Sequence, residues 1–574
     1  MRKTWLPFVA GVLLILAGSL LAHTIQTSGG ITVADVRFAG DKGTTLSALV
    51  YTPSGATAAN PAPAVLLSHG YINTREMQSA FAIELARRGF VVLSIDQSGH
   101  GYSTGIVGSN DFGGPAALRY LKSLPQVDKA NIGLEGHSLG GGPVVGAAAS
   151  DPAGYKSVVL EGSTPAIGAV FGGQSKVELR NLAIVFGGYD EFAQLMWQVE
   201  KGSDIAKSKA LQALLRTSAP VVEGQVYGDI GAGTARVLHN PAITHPWEHF
   251  SVAGVAPAID WFQQTLDGEA NPLPPTQQIW IWKEVGTLVG FAGLVVLMLG
   301  AFQLLLAAPW FSGLAQPAQP AAETKGRRWW LAFVLTTVIP AATFFPLMKV
   351  GQLFFPLPVF PQWITNQLLV WALVNAVITL VLGLVLKAAK PAFRTDWLRS
   401  AAIAVATVGV GYASLALVDA LWAVDYRFWV LGLKPLDGLH LTYALAYLPL
   451  WTLFFLVALR ALHTNLAVKG EGKGQYVAAA LAMCLGFVVL EAIQYASLFA
   501  TGVLAMAEPL NTIIGIQFVP LLAIVGVIAV FTYRRTNSYV PGALICALFI
   551  TWYVVSGTAT HWSPDFQLPI PGRG

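Results

Sequence analysis

Cysteine is nearly absent from this 574-residue chain: there are two, Cys484 and Cys546, and both fall inside apolar stretches of membrane-spanning length. The part before residue 280 therefore has no disulfide and no cysteine-ligated metal to hold it together, and cysteine usage does not report its redox compartment. Charge is scarce as well, at 11% Asp, Glu, Lys and Arg against 54% hydrophobic residues, with a mean hydropathy of +0.56. The formal net charge is only +4, and the basic residues are scattered through loops rather than gathered with aromatics, so no nucleic-acid partner is indicated. No internal repeat is evident. Metal-ligand spacing is lacking too: His245 and His249 stand at i, i+4, but a proline follows His245 and the sequence offers no third ligand.

What is present divides in two, because the chain is too long for one ordinary core. Met1-Arg2-Lys3 and then Trp5 to Ala22 form a basic start and an apolar stretch of spanning length. Leu20-Leu21-Ala22 matches a small-x-small cleavage site poorly, so residues 1–25 are expected to stay as a signal anchor. Residues 26–270 hold most of the acidic residues and alternate short apolar runs with helical stretches, the rhythm of a largely parallel sheet. Strands are expected at Ile31–Phe38, Leu46–Tyr51, Ala64–Ser68, Val91–Asp96, Ile132–Glu135, Ser157–Glu161, Ala183–Gly187 and Ala235–His239, with clear helices at Glu76–Arg88 and Val252–Leu266. A Pro-rich linker follows over 271–284. An all-α transmembrane helical bundle is expected over 285–558, with spans near 285–307, 329–348, 364–386, 400–424, 441–459, 476–500, 513–532 and 539–558, then a C-terminal tail, 559–574.

The distribution of Lys and Arg tests that topology. With the N-terminus inside, Lys325, Arg327, Arg328, Lys387, Lys390, Arg394, Arg399, Arg460, Lys469, Lys473, Arg534 and Arg535 fall in cytoplasmic loops, and only Lys283, Lys349, Arg427, Lys434 and Arg573 fall outside. The bias follows the positive-inside rule and puts residues 26–270 on the extracytoplasmic side of a multi-pass protein of the cell membrane. Trp280, Trp282, Trp329, Trp330 and Trp363 near span ends fit interfacial belts. Asp419, Glu491 and Asn375 lie within spans, where polar groups are costly and either bond a neighbouring helix or serve function.

Chemistry is concentrated at Gly136-His137-Ser138-Leu139-Gly140. This has the G-x-S-x-G form of a strand-to-helix turn that exposes a serine, with a strand before it and a small, apolar helix behind it over 141–149. A serine hydroxyl needs a histidine base, and the histidine needs an acid to hold its tautomer. Asp190 follows the strand at 183–187 on a glycine turn and is the best acid; Glu161, at the end of the preceding strand, is its rival. His245 lies between the last strand and the helix from 252 and is the best base, with His249 as the alternative. His69, His100 and His239 are expected to be structural.

Ser68-His69-Gly70-Tyr71, Asp96-Gln97-Ser98-Gly99-His100-Gly101-Tyr102-Ser103, the Ser138 turn, Asp190 and His245 occur in an order that resembles the α/β-hydrolase superfamily over roughly residues 30–267. Dienelactone-hydrolase-like and acyl-peptidase-like branches look nearest. The resemblance implies an α/β-hydrolase fold, a mostly parallel eight-stranded sheet with flanking helices, and an oxyanion hole made by the backbone N–H groups of Tyr71 and Leu139. It implies a serine hydrolase of esters or related acyl bonds, acting without cofactor or metal through an acyl-enzyme. An acyltransferase uses the same machinery, and a transporter or sensor with a non-catalytic, ligand-binding hydrolase domain is the reading from another class. The short stretch between the sixth and seventh strands leaves no room for a large cap, so an open site is expected, with Phe192–Gly231 as a small lid. A minimally capped hydrolase fused to a membrane bundle points to a small-molecule or lipid acyl substrate, the bundle completing the pocket at the bilayer.

Overall fold

The computed structural model describes residues 4–173, 177–316, 326–354, 356–385, 396–466 and 473–563. Arg2, Lys3, Lys325, Lys387, Lys390, Arg394, Lys469 and Arg573, on which the expected topology partly rests, lie outside the described residues.

The chain opens with helix α1 (Leu6–Gln26) and continues into a sheet of β1 (Thr32–Ala39), β2 (Thr45–Thr52), β3 (Ala62–Ser68), β4 (Val91–Asp96), β5 (Val127–His137), β6 (Ser157–Glu161), β7 (Leu182–Val185) and β8 (Arg236–His239). The strand order is β1-β2-β4-β3-β5-β6-β7-β8; β2 runs antiparallel to β1 and β4, and every other pair is parallel. All eight expected strands are present. β5 starts earlier than its apolar run because Val127 pairs with Ala62 across a shift in register before Ile132 pairs with Ala64.

Helices α2 (Ser79–Arg87), α3 (Gly114–Ser123), α4 (Gly141–Ser150), α5 (Ala193–Trp197), α6 (Lys209–Leu214), α7 (His245–Glu248) and α8 (Val252–Thr265) complete this part. Side chains alternate along each strand, so Leu66, Leu93, Leu134, Leu160 and Ile184 pack with α3 and α4 on one face, and Val65, Leu67, Val92, Val159 and Ala183 with α2 and α8 on the other. Burial on both faces is why these strands read as continuous apolar runs.

The bundle adds α9 (Ile281–Leu306), α10 (Arg327–Ala342), α11 (Phe344–Gly351), α12 (Trp363–Val385), α13 (Trp397–Trp422), α14 (Gly438–Asn465), α15 (Gly474–Thr501), α16 (Pro509–Thr536) and α17 (Val540–Gly557). Among the described residues, α1 and seven of these are long and apolar enough to cross a membrane; α10 and α11, bent by 43°, make a ninth span if counted as one. The break falls at Thr343: Pro346, early in α11, has no N–H to donate to the Ala342 carbonyl and crowds that turn. α1 lies close against α9: a Cβ on Gly18 would strike the Gly286 carbonyl, so small residues set that approach.

α9 begins four residues before the expected span. Its start is held from outside the local sequence: Glu84 Oε1, on α2, accepts the Ile279 and Trp280 amides at 2.6 and 3.1 Å. Between α13 and α14 a small hairpin of β9 (Tyr426–Phe428) and β10 (Leu431–Leu433) docks on the sheet domain. Lys434 sits 3.1 Å from Glu76 and 4.0 Å above the Tyr102 ring, and Arg427 donates to Asp425 at 2.8 Å and to Thr74 at 3.0 Å. Beyond α17, Thr560 donates to the Gly99 carbonyl at 2.8 Å and accepts from Val107 at 3.1 Å, so the chain's last described segment also lies on the sheet domain.

Candidate active site

β5 ends at His137 and α4 begins at Gly141, and the reversal between them puts Ser138 at φ +55°. A left-handed conformation at a non-glycine residue costs on the order of 1–3 kcal/mol and persists only where the surroundings enforce it. Here they do so by close approach: a Cβ on Gly136 would strike the Gly140 carbonyl, and one on Gly140 the Ser68 carbonyl. The glycines of the motif are thus required by backbone contacts, and Ser138 is left lining a cavity.

The acid and base are brought together by a second pair of loops. After β7, the Gly188 and Tyr189 amides donate to the Pro241 and Ile243 carbonyls at 2.7 and 3.0 Å, laying the β7–α5 turn along the β8–α7 loop. Asp190 Oδ2 consequently lies 2.8 Å from His245 Nδ1. Burial pushes the His245 pKa down, but the Asp190 carboxylate beside it outweighs burial and the net shift is upward. Ser138, His245, Tyr71 and Leu139 all line one cavity of about 220 Å³. Among the described residues, no hydrogen bond joins Ser138 to His245; contacts of this kind are often long before a substrate binds. The Tyr71 side chain is turned to the C-terminal segment, its hydroxyl 2.7 Å from His561 Nε2.

The two alternatives are placed differently. His249 lines the same cavity, but neither ring nitrogen has a hydrogen-bond partner among the described residues, and burial holds its pKa down at about 3. Glu161 is fully buried, both of its oxygens lack a hydrogen-bond partner among the described residues, and burial pushes its carboxyl well up. Asp190 therefore meets His245, and Glu161 does not. His69 is tied to its own loops, Nδ1 lying 2.7 Å from the Gly70 carbonyl and Nε2 accepting the Gln97 amide at 3.2 Å.

Three neighbours escaped sequence reasoning. His137, the residue before the serine, stacks near both histidines, its ring 4.7 Å from His245 and 4.6 Å from His249. Glu248 Oε1 accepts the Gly187 amide at 2.7 Å, and its Oε2 lies 3.4 Å from His245 Nδ1 and 3.3 Å from His137 Nε2. Glu191 accepts the backbone N–H of His245 at 2.8 Å. The i, i+3 spacing of His245 and Glu248 was the available signal for one of them. His137, His245 and Glu248 also form a group of metal-ligand type, with ligand atoms within 4.8 Å of one another, which the sequence spacing did not reveal. In it, His245 Nδ1 already makes its shorter contact with Asp190.

The expected open site is covered. Trp363 of α12, Val430 of the hairpin, and Leu510, Ile513 and Gln517 of α16 line the cavity with Ser138, as do Phe192, Leu195 and Met196. The cover comes from elements far along the chain rather than from an insertion between β6 and β7.

Residues 63–192 match the family model of the alpha/beta hydrolase fold. Among solved structures, a hypothetical protein from Pseudomonas aeruginosa is 32% identical over 23% of this chain and 43% of its own length, with a TM-score of 0.22; the match thus spans less than half of that protein. A dienelactone hydrolase from Anabaena variabilis is 19% identical over 41% of this chain and 99% of its own, with a TM-score of 0.30. No curated protein matches the chain.

Proposed function

We propose, from the premise that the sheet domain of this chain belongs to the α/β-hydrolase family, that the protein is a membrane-bound serine hydrolase cleaving an ester or related acyl bond of an amphiphilic substrate. The observation that carries this is the 2.8 Å pairing of Asp190 with His245 on the cavity that Ser138 lines from its left-handed turn.

Ser138 Oγ attacks the acyl carbonyl while His245 takes its proton, and Asp190 holds the imidazole and stabilises its charged form. The Tyr71 and Leu139 N–H groups receive the oxyanion of the tetrahedral intermediate. His245 returns the proton to the leaving oxygen, leaving an acyl-serine. Water, deprotonated by His245, then releases the acid and restores the serine hydroxyl. Trp363, Val430, Leu510 and Ile513 give the cavity an apolar side built from the helical bundle, which supports an aliphatic or lipid acyl chain as the group bound there. The bias of Lys and Arg toward one set of loops supports an extracytoplasmic site.

Fluorophosphonate labelling tests the reading. The full chain is expected to label, and Ser138→Ala to abolish labelling; correctly folded protein that does not label contradicts it. Residues 26–270 expressed alone are expected to lose hydrolysis of long-chain esters, and equal activity of that fragment on all esters would reduce the bundle to an anchor.

A further inference from the structure

Glu191, next to the acid, faces two ways. Its Oε2 accepts the His245 backbone N–H at 2.8 Å, and its Oε1 accepts the Tyr495 hydroxyl at 2.8 Å. Tyr495 belongs to α15, a helix of spanning length. The contact is one of a series. Tyr189 meets Phe499 edge to face with ring centroids 5.3 Å apart, and the Lys201 stem lies over Gly502, where a Cβ would come within 2.7 Å of it. Positions 495, 499 and 502 share one face of the helix end, so the segment carrying Asp190 and Glu191 is laid along α15.

We propose that Glu191 is a positioning residue through which α15 holds the His245 loop: Tyr495 fixes the Glu191 carboxylate, and the carboxylate fixes the backbone from which the imidazole must reach Ser138. This rests on the Ser138–His245–Asp190 reading above. Each bond to an ionised carboxylate is of the stronger, charge-assisted kind. Glu191 keeps both at a cost: burial and then the neighbouring Asp190 charge push its carboxyl up to about 7. Without the Tyr495 hydroxyl, Oε1 has no donor and the carboxylate is free to turn, loosening the His245 amide. A misplacement of about 1 Å at a reacting group costs up to about a hundredfold in rate. The consequence is that the rate at Ser138 follows the seating of a membrane helix against the sheet domain.

The test uses the purified full chain in detergent and the inactivation constants kinact and KI of a fluorophosphonate at Ser138. Tyr495→Phe and Glu191→Ala are each expected to lower kinact about tenfold with KI within about twofold, and the double variant to fall no further than Glu191→Ala, because the two groups act as one unit. Glu191→Gln is expected to recover to within about threefold of the parent, since its amide oxygen still accepts from His245 and its N–H still donates to the tyrosine oxygen. A labelled parent with Tyr495→Phe at the parental kinact, or with additive losses in the double variant, overturns the proposal and leaves the serine-hydrolase reading standing. A parent that does not label contradicts that reading, and the proposal falls with it. Melting temperatures identify a variant that fails to fold; should Tyr495→Phe be one, equal kinact for Glu191→Gln and Glu191→Ala overturns the proposal.

Discussion

The two walls of the cavity differ in kind. On the sheet side stand Ser138, His137, His245 and His249, held by glycine contacts, strand ends and buried carboxylates. On the bundle side stand Trp363, Val430, Leu510 and Ile513, with Gln517 the polar side chain among them. On the reading proposed above, the first wall moves a proton and the second accepts an apolar chain. The two parts meet through buried polar contacts: Lys434 pairs with Glu76, and Arg427, itself held by Asp425, donates to Thr74.

His245→Ala is expected to lower the labelling rate by roughly a thousandfold or more, with Asp190→Asn nearly as damaging, because the tautomer is lost. Separating the walls comes next. Glu76→Gln leaves the buried cation Lys434 without its nearest carboxylate, and losing one partner of a buried pair costs about 3–5 kcal/mol, read as a lower melting temperature of the full chain. A melting temperature equal to the parent's would show that the buried charges do not hold the two parts together. Altering only the apolar wall gives a smaller, selective effect. Ile513→Trp is expected to lower kcat/KM for dodecanoyl esters about tenfold and to leave butanoyl esters within about twofold; equal losses on both would remove the bundle from substrate selection.

The pH profile sharpens the sheet wall. His245 must be neutral to accept the serine proton, and its pKa is raised by Asp190 against burial. Its neutral form is therefore lost at a higher pH than for an ordinary histidine, so the acid limb of the labelling rate should have its midpoint above about 6.5. A midpoint below that value would contradict the Asp190 pairing. The smallest effect expected is in the bundle itself: Glu491→Gln, within α15, should stay within about twofold of the parent in kinact if that carboxylate only fills a helix contact. A larger loss would extend the active wall along α15 past Tyr495.

The same contrast governs what was legible in the sequence. Strands β2 to β8 were readable because each holds a short apolar run that the fold buries, and Ser138, Asp190 and His245 stood out as candidates because each follows a strand at the same sheet edge. Glu191 and Glu248 were not, because their role appears only when the β7–α5 turn lies beside α7. That the bundle completes the pocket was expected, but not which residues do so, since Trp363, Val430 and Ile513 look like any span-end or loop residues until the bundle docks. Lys283, Lys349, Arg427 and Lys434 stood out as exceptions to the charge bias. In the structure each has a carboxylate: Lys283 has Glu284, Lys349 has Glu508 at 2.5 Å, Arg427 has Asp425 and Lys434 has Glu76. Asn375 shows the opposite case: a polar residue in a span that bonds the Trp371 carbonyl at 2.9 Å and Thr343 at 3.0 Å, an ordinary structural use.

Ser138 is, on the reading proposed above, a nucleophile activated by His245. Fluorophosphonate labelling of the full chain, followed by mass mapping of the adduct, tests this: one adduct is expected, on Ser138, lost in Ser138→Ala and slowed at least about a thousandfold in His245→Ala. Folded protein with no adduct, or with an adduct that survives Ser138→Ala, would contradict it.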